Sequence, residues 1–152
     1  MTDLDRFISA SDRLTGIFGH WPSFHDAEVV DFNLWRGGMN SQTRDLAGPV
    51  LTLKVHLWEM TKEVDSKGYF ILRNHTLCTL RFREVQEIQM QGFNDQNAIF
   101  DLSIERKERN EPPSPYFAVE IEPAFGIQSS FECLHIEVVE AVPFIPGGTP
   151  AL

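Results

Sequence analysis

Trp21-Pro22-Ser23-Phe24-His25-Asp26-Ala27-Glu28-Val29 joins the one helical pattern of this chain to a long succession of strand patterns. Upstream, Leu4, Phe7, Ile8, Leu14 and Phe18 follow two good N-cap types, Thr2 and Asp3. Asp5, Arg6, Ser9, Asp12 and Arg13 fall on the opposite side, the spacing of an amphipathic helix. Gly16 and Gly19 loosen its end, and Pro22 stops any continuation. Downstream of Glu28 the period becomes two: Val30, Phe32 and Leu34 alternate with Asp31, Asn33 and Trp35. The stretch therefore decides the fold class, because a helix with one face to bury is followed by a sheet on which to bury it.

The cleanest strand pattern sets Leu51, Leu53, Val55 and Leu57 against Thr52, Lys54, His56 and Trp58. Further patterns follow over 69–72, 76–82 and 85–90, then at Ala98, Phe100, Leu102 and Ile104, at Phe117, Val119 and Ile121, and at Leu134, Ile136 and Val138. Arg36 to Pro49 reads as a loop, Glu59 to Gly68 as a polar connection and Arg106 to Pro115 as an exposed hairpin loop. These connections are too short for helical crossovers, which makes the sheet antiparallel. The expectation is one α+β domain over residues 1–152: an N-terminal helix packed on a mostly antiparallel, strongly curved sheet of about six to eight strands. The tail from 143 to 152 reads as loose.

A formal charge of −9, with 42% hydrophobic and 23% charged residues, is ordinary globular composition. It argues against nucleic acid as a direct ligand, which needs clustered Lys and Arg, and permits a basic protein partner. Cys78 and Cys133 have no ligand-like spacing and read as reduced, partly buried thiols. The first residues lack a signal pattern, and no run approaches the ~18 apolar residues of a membrane span; the expected setting is the cytoplasm.

His25, Asp26 and Glu28 invite a metal or acid-base reading. In strand geometry, however, Asp26 and Glu28 share a face while His25 points away, and none of the histidines has metal spacing. A structural corner of Trp21, Phe24, His25, Asp26 and Glu28 fits better, with a buried Asp26 accepting backbone N–H bonds and His25 donating to a carbonyl. Ser23 and the cysteines lie in no nucleophile context, and Gly37-Gly38 and Gly147-Gly148 are not phosphate loops. No enzyme motif, cofactor or metal site is expected. Sorting the strands by face sets Trp35, Trp58, Asp101, Glu105, Tyr116, Glu120, Glu122 and Glu137 opposite the apolar sets. Aromatics amid carboxylates suit a protein-binding surface. The competing reading has the helix covering the Trp residues and the acids merely solvated.

Gly16 through Val29 resembles the N-terminal signature of the immunity protein 50 family. Leu57-Trp58-Glu59, His75-Thr76-Leu77, Gly92-Phe93-Asn94 and Phe125-Gly126-Ile127 follow in a similar order, so that the resemblance covers roughly Leu4 to Val142. It implies a non-enzymatic bacterial immunity protein that neutralises a cognate toxin, often a nuclease, by direct contact inside the producing cell. It implies no catalytic residue. A small enzyme using His25 with nearby carboxylates, and a structural or oligomerisation domain, are the other readings.

Overall fold

Leu51, Leu53, Val55 and Leu57 are all buried, as alternation in a strand covered on one side requires. The structure, a computed structural model, describes residues 4–39, 42, 46–110 and 113–144. A 3₁₀ turn, Leu4–Phe7, and a short helix α1, Asp12–Phe18, precede the strands. These are β1 Glu28–Trp35, β2 Gly38–Met39, β3 Leu46–Ala47, β4 Val50–Val64, β5 Phe70–Arg83, β6 Gln86–Gln91, β7 Ile99–Asn110, β8 Pro113–Pro123, β9 Gln128–Cys133 and β10 His135–Pro143. Two antiparallel four-stranded sheets result, ordered β1-β4-β5-β10 and β6-β9-β8-β7, with β2 and β3 as a separate ribbon.

This corrects the expectation of one strongly curved sheet of about six to eight strands. The strands are more numerous, and the sheets are neither strongly curled nor closed. The turning is concentrated at a corner, where two chain runs pass from one sheet to the other. One run leaves β5 and enters β6 through Glu84-Val85; the other leaves β9 and enters β10 through Leu134. Glu84 adopts a left-handed φ of 55°, the Val85 amide donates to the Pro49 carbonyl, and the Leu134 amide donates to that of Arg83. Both sheets share one core, in which the Phe82 ring of β5 meets Phe131 of β9 edge-on at 5.0 Å.

The single N-terminal helix is also corrected. Ala10 takes a left-handed φ of 56°, and Ser9 lies beside the edge strand β10, donating to the Ile136 carbonyl and accepting from the Val138 amide. Arg13 adds a 2.9 Å bond to the Val138 carbonyl and a second bond to that of Val139. An open sheet edge offers backbone partners that a continuous helix would leave unused, so the helix breaks to cover it. Leu14 and Phe18 of α1 are buried in the core, and Gly19 ends the helix at φ 81°. Thr2 and Asp3 lie outside the described residues, as do 145–152 of the tail; Pro143 and Phe144 are ordered, the latter bonded to the His75 carbonyl.

The polar segments at 59–64 and 106–110 belong to long hairpins rather than loops, and the 36–49 loop contains the β2-β3 ribbon. Hairpin pairing is a backbone interaction and continues whether or not the side chains are apolar. A shift of register between Ile99 and Asp101 moves β7 by one residue: Ile99 is buried and Phe100 exposed, the reverse of the expected alternation.

Candidate partner-binding surface

The segment 24–29 stitches the start of β1 to the start of β7, and therefore one sheet to the other. Asp26 N–H donates to the Ile99 carbonyl, Ile99 N–H to that of Ala27, and Val29 N–H to that of Asn97. Phe24 is buried against a half-buried Trp21, their rings 5.8 Å apart, and Glu28 bridges to Ala98. His25 Nδ1 lies 2.7 Å from the Phe100 carbonyl oxygen, and its ring meets that of Phe100 edge-on at 5.3 Å. Asp26 is exposed rather than buried, 3.6 Å from His25 Nε2, and holds a left-handed φ of 68°. That conformation is one Asp tolerates better than most residues.

Asn97 is the residue that sequence reasoning missed. It is 3% exposed; its Oδ1 accepts from the amides of Asn94 and Ile127, and its Nδ2 donates to the carbonyls of Asn94 and Val29. One amide side chain thus satisfies backbone groups from three segments at the junction of the sheets. An Asn just after the turn Gly92-Phe93-Asn94-Asp95 reads as exposed turn chemistry, and nothing local marks it as buried.

The residues sorted to one side by period two divide between the outer faces of two sheets. Trp35, Trp58 and Glu137 belong to the first sheet; Asp101, Glu105, Tyr116, Glu120 and Glu122 belong to the second. Trp35 is 53% exposed and stands over Gly38 of the ribbon. Trp58 is half-buried, with its ring 4.9 Å from that of His56 and 5.9 Å from that of His75. His56 Nε2 and His75 Nδ1 lie 3.0 Å apart, and the Phe144 ring is 4.5 Å from His56. Burial, and then the neighbouring His75, hold the His56 pKa below its ordinary value. Glu137 stands opposite Arg81 in the pairing register.

The outer face of the second sheet gathers carboxylates from several strands. Ser103, Glu120 and Ser130 form one cross-strand row, and Glu105, Ala118 and Glu132 the next. Glu87, Glu105, Glu120 and Glu132 line an open groove of about 290 Å³, with Lys107 at its side, 3.7 Å from Glu105. Asp101 and Glu122 are direct cross-strand partners, a placement of like charges that costs stability. At the other end, the Arg109 guanidinium lies 4.3 Å over the half-buried Tyr116 ring and donates to Glu132 at 2.7 Å. Glu132 had a legible signal, since it alternates with buried Phe131 and Cys133; Glu87, on a kinked strand at φ 54°, had none.

Cys78 and Cys133 are buried free thiols, and burial pushes both up to about 12, which disfavours the thiolate. No cluster of three or more His, Cys, Asp or Glu side chains able to hold a metal occurs among the described residues, and no described helix is long and apolar enough to cross a membrane.

No curated protein and no solved structure matches the chain. The model of the Immunity protein 50 family matches residues 11–144, from the start of the helical segment to the end of β10, a span that includes both sheets and the junction between them. The chain belongs to the immunity protein 50 family.

Proposed function

We propose that this protein is a cytoplasmic immunity protein that neutralises a basic cognate toxin by direct contact, and that the outer face of the second sheet receives it. Family membership supports the immunity role. The observation that carries the choice of surface is the run of carboxylates Asp101, Glu105, Glu120, Glu122 and Glu132, including a like-charged pair directly opposed across β7 and β8. Stability disfavours that pair, whereas a basic partner compensates it on binding. The carboxylates steer the encounter, and Tyr116 under Arg109 gives an aromatic contact that slows release. A nuclease, whose own surface must be basic to hold nucleic acid, suits this face.

The test is co-purification of the chain with the toxin encoded beside it, followed by binding kinetics. Glu120→Ala and Glu122→Ala should lower the on-rate and flatten its salt dependence, and Tyr116→Ala should raise the off-rate. Wild-type rates for all three variants, in proteins that keep their melting behaviour, would move the contact to another face.

A further inference from the structure

The β4-β5 hairpin outruns its neighbours. Pairing of β1 with β4 reaches Glu28 opposite His56, and pairing of β10 with β5 reaches Pro143 opposite Thr76. Among the described residues, the stretch from Glu59 to Asn74 therefore projects as a two-stranded arm beyond the four-stranded sheet. Met60 stands opposite Leu72, and Val64 opposite Phe70. Leu72 and Phe70 are two positions apart on one strand and share a face, so all four side chains lie on the same side of the arm. They are 58%, 37%, 55% and 56% exposed in the order Met60, Leu72, Val64, Phe70. The opposite side carries Ile71 together with paired polar groups: Glu59 stands opposite Arg73 and accepts from Asn74, and Arg73 pairs with Glu63.

A two-stranded hairpin has no second layer of its own, and a contiguous exposed apolar face on it marks a contact. The charge of the arm identifies the other party. Residues 59–73 contain three acids (Glu59, Glu63, Asp65) and three bases (Lys62, Lys67, Arg73), a sum of zero on a chain of −9. A neutral arm does not steer a basic toxin, and two such arms approach without the repulsion that the acidic outer faces of the second sheet would carry. An antiparallel hairpin face is compatible with a two-fold axis, which places each patch against its own copy.

We infer that the arm is a homodimer contact: Met60, Val64, Phe70 and Leu72 pack face to face with the same residues of a second copy of this chain. This goes beyond the toxin-binding reading and uses the other sheet, so that either can fail alone. Sedimentation equilibrium of the full chain should give twice its 17.4 kDa mass. Phe70→Ser combined with Met60→Ser should return the monomer mass, with the thermal melt still cooperative because neither side chain belongs to the core. Val64→Ser alone should weaken association if the double variant fails to fold. Glu122→Gln, on the second sheet, should leave the dimer intact. A wild-type chain that stays monomeric up to its solubility limit overturns the inference and leaves the arm to the toxin. A dimer that survives the arm substitutions overturns it as well, placing the contact elsewhere.

Discussion

Replacing Asn97 by alanine tests the claim that one buried amide holds the two sheets together at their junction. The substitution removes four hydrogen bonds. Those to the Asn94 amide and carbonyl, at 3.0 and 2.7 Å, end on an exposed turn where water substitutes. The Ile127 amide, bonded at 3.2 Å, and the Val29 carbonyl, at 3.4 Å, belong to buried residues. An unsatisfied buried group costs about 1–3 kcal/mol, and the longer bond counts toward the low end, so the expected loss is about 3 kcal/mol. For a chain of this size that corresponds to a fall in Tm of about 6–12 °C. Equilibrium urea denaturation should show a lower midpoint at unchanged slope, and the Ile127 amide should lose its hydrogen-exchange protection. Asn94→Ala, which removes exposed turn contacts, should cost less than about 1 kcal/mol. An Asn97→Ala protein with a wild-type midpoint and a protected Ile127 amide would refute the reasoning.

Gly126 sits at φ 78°, and a Cβ there would lie 2.3 Å from the Gln96 carbonyl oxygen and 2.6 Å from Asn97 Oδ1. Gly126→Ala should therefore destabilise by more than the ~1 kcal/mol of a left-handed alanine, which a thermal melt reads directly. The depressed pKa of His56 means that the unfolded chain binds more protons as pH falls below 6.5, so stability should drop as pH is lowered from above that value through the folded pKa of His56. His56→Phe should flatten the slope of Tm against pH in that window; an unchanged slope would exclude His56 as its source. Glu122→Gln relieves the opposition to Asp101 and should raise stability by a few tenths of a kcal/mol while slowing toxin association. A variant both less stable and equally fast would argue against a binding role for the pair.

The sequence by itself determined that antiparallel strands predominate, the buried face of β4 and, through the residues from Gly16 to Val29 and the later matching segments, the family. Each of these is local, because alternation reports which side of its own strand a residue occupies, and turn residues report where the chain reverses. Tertiary structure alone decided which sheet each strand joins. Trp58 and Glu120 both face outward from their strands, yet they lie on different sheets, because the runs through Glu84-Val85 and Leu134 carry the chain around a corner. The same holds for the broken N-terminal helix. The period of Leu4 to Phe18 is helical, but the open edge of β10 supplies backbone partners to Ser9 and Arg13 that outweigh the local preference. Polar arms and a buried Asn97 were hidden for a related reason: backbone pairing and side-chain capping across long sequence separations depend on where segments meet, and no residue type encodes that position within its own neighbourhood.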